Sequence, residues 1–206
     1  FPFKKKYYEQ DYYVSSNNFS AYRLIESWPN WPDKCVNIFG PKGCGKTHLS
    51  NIFIKKIKSY YVEAGDLKNI DMIKNIENKE CLIIDDYKNN IKENEFYSIL
   101  NFLRQANKYV IINSIFPIKN EKIKLNDLKS RLNSFIDVGI ELPTDELLRV
   151  IISKYFSDKQ IDITPKISEY IIKNIERSYE KVFKFIKEID DLSLSSGKSI
   201  NINLIK

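Results

Sequence analysis

The chain has 206 residues, 43% of them hydrophobic, enough for one compact domain or a domain with a small appendage around a real core. Charged residues make up 29%, and 33 basic against 27 acidic side chains give a net charge of +6, a mixed-sign balance that argues against disorder. The longest apolar runs, Cys81 to Ile84 and Tyr109 to Ile112, fall far short of the ~20 residues that a membrane-spanning helix needs, so no transmembrane segment is expected.

The opening FPFKKKYYEQDYY carries charge with no apolar stretch behind it and does not read as a secretory signal; lacking Met, it leaves room for residues upstream. Residues 20–28 (SAYRLIESW) space Tyr22, Ile25 and Trp28 at helical intervals after SSNN, and 29–34 form a break. CVNIF (35–39) reads as a buried strand running into GPKGCGKTH, and 46–60 follows with helical periodicity. SYYVEA (59–64) is a strand, 66–78 a helix, and CLIID (81–85) an apolar strand ending in two carboxylates. A helix over 93–107, a strand over 109–113, a helix over 125–133 and a strand over 135–140 complete the alternation. Strands alternating with helices predict an α/β fold with a parallel five-stranded sheet covered on both faces. After Leu142 three segments carry only the 3.6-residue period, with cap signals at Thr144 and at Thr164 before Pro165. The chain is therefore expected to divide into an α/β core over 1–142 and a small all-α lid over 143–206.

Cys35, Cys44 and Cys81 are odd in number, widely spaced and without a C-x-x-C pair, which argues against a disulfide framework or a zinc site and fits a reducing, cytoplasmic setting. The positive charge is almost all lysine; the arginines are Arg23, Arg104, Arg131, Arg149 and Arg177. So short a list matters, because lysine does not replace a bidentate guanidinium at a phosphate.

Gly40-Pro41-Lys42-Gly43-Cys44-Gly45-Lys46-Thr47 matches G-x-x-x-x-G-K-T in full, between a predicted strand and a predicted helix as this phosphate loop requires. Glycines let consecutive N–H groups curl round a phosphate, the helix start adds its positive end, Lys46 bridges phosphates and Thr47 offers a hydroxyl to Mg²⁺. Such a loop needs a metal-holding acid at the end of a neighbouring strand. Asp85 supplies it, holding Mg²⁺ through water, and Asp86 is placed to polarise an attacking water. Cys44 fits where a small side chain is needed. His48, inside the helix, is counted with the nucleotide contacts, with packing or capping as its other role.

GPKGCGKTHL, CLIIDD, LNDLKSRLNS, the three-helix tail and the lead-in YYVSSNNFSA, in that order, resemble the AAA+ module of bacterial DnaA replication initiators and, more closely, the Hda-type regulators of DnaA. The likeness covers nearly the whole chain. The initiators carry a further C-terminal DNA-binding domain, and a chain stopping at Lys206 after the lid favours the Hda-type reading. The resemblance implies a P-loop AAA+ core with ADP or ATP and Mg²⁺ as cofactors, and Tyr13 and Val14 lining the adenine pocket. Asn18 and Ala21 fall at the first helix. Arg131 corresponds to an arginine finger for a neighbour's γ-phosphate, the alternative being an ordinary surface arginine. The family's polar sensor aligns with Ile115, leaving Asn113 or Ser114 nearby, and its second sensor arginine aligns with Glu180, one turn from Arg177, which is preferred.

The implied activity is that of an adaptor that stimulates hydrolysis of ATP on DnaA. Its partners are DnaA, the DNA-polymerase sliding clamp through a peptide of which only Phe1-Pro2-Phe3 would be present, DNA indirectly, and further copies of itself. Two rivals stay open. One is a loader-type or stand-alone ATPase with its own turnover; the other is a nucleic-acid-binding module using the basic surface, with Lys181, Lys184 and Lys187 spaced along the last helix.

Overall fold

The computed structural model of the chain describes residues 12–67, 74–197, 200, 201 and 204. It divides into two compact units, one running up to Gly40 and resuming over Gly45–Ile140, the other made of Pro41–Cys44 with the chain from Glu141 onward.

The first unit is built on β1 (Cys35–Phe39), β2 (Ser59–Glu63), β3 (Cys81–Tyr87), β4 (Tyr109–Ser114) and β5 (Ile136–Gly139). They form one sheet in the order β2-β3-β4-β1-β5 with every pair parallel, as the alternation of elements predicts. Between them run α1 (Phe19–Glu26), α2 (Lys46–Ile54), α3 (Glu93–Gln105) and α4 (Asn126–Asn133). A parallel sheet is apolar on both faces because its crossovers cover both. On one face Leu82, Ile84, Val110 and Ile112 meet Phe96, Ile99 and Leu103 of α3 and Leu128 and Leu132 of α4. Ile83 and Ile111, which point the other way by the two-residue period, are equally buried.

Three boundaries differ from the sequence pattern. The helix expected through Tyr60 stops at Ile54, because Ser59 and Tyr60 pair with Cys81 and Leu82 in the sheet, and pairing of β-prone aromatics outweighs an apolar 3.6-residue rhythm. The strand expected to end at Asp85 continues to Tyr87 through a bulge: Ile84 pairs with Ile112 but Tyr87 with Ser114, so Asp85 and Asp86 together oppose Asn113. Of the helix expected over 66–78, Asp66 closes a 3₁₀ turn and 74–76 are helical, while 68–73 lie outside the described residues.

The second unit contains α5 (Asp145–Ser157), α6 (Pro165–Asn174) and α7 (Tyr179–Ser196) around its own core of Leu148, Ile152, Phe156, Ile171, Val182 and Ile186. The Thr144 hydroxyl accepts from the Leu147 amide at 3.2 Å, Pro165 opens α6, the Ser178 hydroxyl accepts from the Lys181 amide at 3.3 Å, and Gly197 ends α7 at φ 63°.

Candidate functional site

Gly40 to Thr47 lies between β1 and α2, as the motif requires. Gly43 (φ 81°) and Gly45 (φ 101°) hold left-handed conformations that turn successive peptide planes, the curl from which anion nests are made. Gly45 is also a close approach, since a Cβ there would sit 3.1 Å from the Tyr12 ring. Lys46 reaches back along the loop, its Nζ donating to the Gly40 carbonyl at 2.7 Å.

Thr47 and Asp85 meet directly: the Thr47 hydroxyl donates to Asp85 Oδ2 at 2.7 Å. Asp85 is 7% exposed and also accepts from the Tyr61 hydroxyl, from Asn113 Nδ2 at 3.1 Å and from the Asp86 amide at 2.9 Å. Asn113, fully buried, donates as well to the Ser50 hydroxyl at 2.8 Å, so α2, β3 and β4 converge on one carboxylate. The bulge separates the two acids. Asp86 takes φ 53°, faces solvent and pairs with Lys88 at 2.6 Å.

On the lead-in side, Asn18 is buried and holds the preceding turn: Oδ1 accepts from the Ser15 amide and Nδ2 donates to the Tyr13 carbonyl, both at 2.8 Å. Tyr13 is exposed and Val14 half-buried in that turn. His48 lies edge-on to the Tyr12 ring at 5.3 Å, and Tyr12 stacks on Tyr22 at 5.9 Å, so His48 is part of an aromatic packing cluster.

Within the second unit, Lys42 pairs with Glu180 at 3.1 Å and Arg177 with Asp145 at 3.1 Å. Cys44 is buried there and Pro41 half-buried. Lys181 and Lys184 pair with Glu176 and Glu188 at 3.9 and 3.8 Å, which offsets much of the basic row along α7.

Arg131 stands apart from Thr47 and Asp85. Its guanidinium donates to Asn101 Oδ1 at 2.7 Å and lines a cavity with Lys34 and Cys35, at the start of β1. The phosphate loop leaves the other end of that strand. Five residues of extended chain separate the two by about 13 Å.

Sequence patterns point to the loop, Thr47 and Asp85 because a linear motif carries them. Tyr61, Ser50 and the choice of Asn113 over Ser114 depend on strand order and on the bulge, which no local pattern reveals. Ser114 turns away to pin the next loop: its hydroxyl donates to the Phe116 carbonyl at 2.6 Å and accepts from Asn37 at 2.8 Å.

The donor set suits a nucleotide with magnesium. A hydroxyl and a carboxylate side by side are hard oxygen ligands of the kind Mg²⁺ takes, with water and phosphate oxygens completing its shell. Among the described residues no three His, Cys, Asp or Glu side chains converge as a metal cage. Asn113 Oδ1 is buried without a hydrogen-bond partner among the described residues, an acceptor beside Asp85 that a hydrated ion would satisfy.

Comparison with known proteins places this geometry. A family described as RNA helicase matches residues 36–124. The chromosomal replication initiator protein DnaA of Thermoanaerobacter sp. (strain X514) is 26% identical over 226 aligned positions, covering 98% of this chain and 51% of that protein. The chain thus spans about half the length of the curated relatives it matches. Domain III of the Thermotoga maritima replication initiation protein DnaA superposes over 100% of this chain and 96% of that one with a TM-score of 0.81 at 19% identity. The AMPPCP-bound DnaA of Aquifex aeolicus superposes over 94% of this chain and 67% of that one with a TM-score of 0.70 at 24% identity. No helix among the described residues is long and apolar enough to cross a membrane. The parallel five-stranded sheet with its covering helices is the α/β AAA+ fold of DnaA domain III.

Proposed function

We propose that the chain is a nucleotide-binding adaptor of the Hda type, acting in the cytoplasm. It holds ADP or ATP with Mg²⁺ at residues 40–48, Asp85 and the adenine-side pair Tyr13 and Val14, and presents Arg131 to ATP bound on DnaA. Residues 143–206 serve as the lid, with Arg177 as its nucleotide sensor. Hydrolysis on DnaA then restrains initiation of replication. In that reaction a water oxygen bonds to the γ-phosphorus as the bond to the β–γ bridging oxygen breaks, giving ADP and inorganic phosphate, with the water's proton carried off on the phosphate. Arg131 supplies positive charge where negative charge builds.

One observation carries the reading. Arg131 lies at the end of β1 opposite to the phosphate loop, so it serves a nucleotide other than its own, and its partner Asn101 orients the guanidinium without neutralising it. Head-to-tail stacking of modules, with DnaA or with further copies, places such an edge against the next nucleotide. The sliding clamp is the second proposed partner, and DNA is met through DnaA; Phe1, Pro2 and Phe3, which would dock on the clamp, lie outside the described residues. The test mixes the chain with ATP-loaded DnaA, sliding clamp and DNA. Arg131→Ala should lower the stimulated hydrolysis by about 10³-fold, the scale of an arginine finger; a variant as active as the wild type rejects the role.

A second reading, an ATPase with its own turnover, is favoured by Asn113, a polar side chain at the β4 end bonded to Asp85. Steady phosphate release by the chain alone, abolished by Asp86→Asn, would establish it.

A further inference from the structure

We infer that Arg104 acts beside Arg131 as a second guanidinium for the phosphates of a nucleotide carried by a neighbouring molecule; this rests on the trans role proposed for Arg131. Tyr97, Asn101 and Arg104 stand at i, i+4 and i+7 on α3 and share one face. Arg131 reaches that face from α4 to bond Asn101. Tyr97, Arg104, Asp127, Arg131 and Ser134 line a cavity of about 280 Å³, and an adjoining cavity of about 290 Å³ shares Arg104, Arg131 and Ser134 and extends to Asp33 and Lys34.

The other cations lining these cavities are engaged. Lys34 Nζ donates to the Asn107 carbonyl at 2.9 Å and lies over the Tyr109 ring, and Lys108 Nζ donates to the carbonyls of Glu77 and Lys79 at 3.0 and 2.5 Å. Arg149 and Arg177 pair with carboxylates, and Arg23 lies over the Phe19 ring. Arg104 is exposed, and its guanidinium has neither a hydrogen bond nor an ion pair among the described residues. Asp33 and Asp127 share the cavities without forming an ion pair with either guanidinium. Two forks of donors, one held by a neutral amide and one unengaged, open on the same cavities. That arrangement fits an anion with several oxygens, as a polyphosphate has, better than a single carboxylate.

The test uses the full chain with DnaA loaded with ATP or with ADP, reading stimulated hydrolysis and binding for wild type, Arg104→Leu, Arg104→Glu and Arg131→Ala. Arg104→Leu should lower stimulated hydrolysis about tenfold. Arg104→Glu should lower it further. Both should weaken binding to the ATP-loaded partner while leaving binding to the ADP-loaded partner within about twofold, since the contact is to the terminal phosphate. Equal loss against both loaded forms would make Arg104 a protein contact and overturn the inference. Wild-type hydrolysis with Arg104→Leu while Arg131→Ala is silent would overturn it and leave the trans role standing; wild-type hydrolysis with Arg131→Ala as well would overturn both.

Discussion

Asp85 accepts from Thr47, Tyr61, Asn113 and the Asp86 amide, about as many donors as a carboxylate can take. If a hydrated magnesium ion bound here, the Thr47 hydroxyl and the Asp85 carboxylate, now hydrogen-bonded to each other, would be the groups that hold it. Tyr61 and Asn113 hold Asp85 in place from the other side. Asp85→Asn should accordingly remove most of the gain that Mg²⁺ brings to nucleotide affinity, about tenfold, while leaving metal-free affinity within about threefold. Calorimetric titration in magnesium and then in chelator measures both. This residue pair was legible, since strand-end acids and a G-K-T loop advertise themselves in one dimension. Its supporting amide and phenol were not, because Asn113 and Tyr61 reach Asp85 only after three strands have taken their places. His48 shows the converse limit: it sits within the motif run, yet its neighbour is the Tyr12 ring, brought in from outside that run.

At the level of elements, the bulge in β3 does two jobs. It turns Asp85 inward and Asp86 outward, and it returns Tyr87 to the face occupied by Ile84, where it packs on Phe96 at 5.3 Å. Strict alternation would have put Tyr87 on the opposite face, so a two-residue period cannot reveal it. The start of α3 is tied down by Glu93, whose carboxylate accepts from the Lys124 amide at 3.0 Å and the Leu125 amide at 2.7 Å. Those backbone donors hold its pKa below the ordinary glutamate value. A carboxylate with a lowered folded pKa stabilises the fold above its unfolded pKa, and that share is lost as pH falls through the folded one. Glu93→Gln should thus melt below wild type at pH 7, and the two melting curves should converge as the pH drops below about 4.5. Convergence at neutral pH would mean that the contact contributes nothing. Burial and Asp33 push the Cys35 thiol up to about 12, so it stays protonated at neutral pH and is a packing group, not a reactive one.

For the molecule as a whole, the two units have separate cores, and Pro41–Cys44 belong to the helical one. The alternation of periods showed the α/β and all-helical parts, because a strand that alternates with helices and a run of pure helices differ over many residues. It gave no sign that Pro41–Cys44 belong to the helical unit. Nucleotide binding should be visible as stability: ADP or ATP with Mg²⁺ at a hundredfold excess over its Kd should add about 2.7 kcal/mol, and Lys46→Ala should erase the resulting rise in melting temperature. Absence of any rise with the wild type would remove the nucleotide from the proposal.

The strand order has a consequence for biosynthesis. β1 leaves the ribosome well before both of its neighbours, β4 and β5, which are encoded far downstream of it. At a translation speed of about 5–20 residues per second, Val36 and Ile38 wait about 4–15 s without either flanking strand. For that interval the nascent chain offers two open, apolar edges to any other unfinished polypeptide. Its yield in the cell should depend on holdase chaperones and on an uninterrupted run of the ribosome to Gly139, more than on the stability that the finished sheet attains.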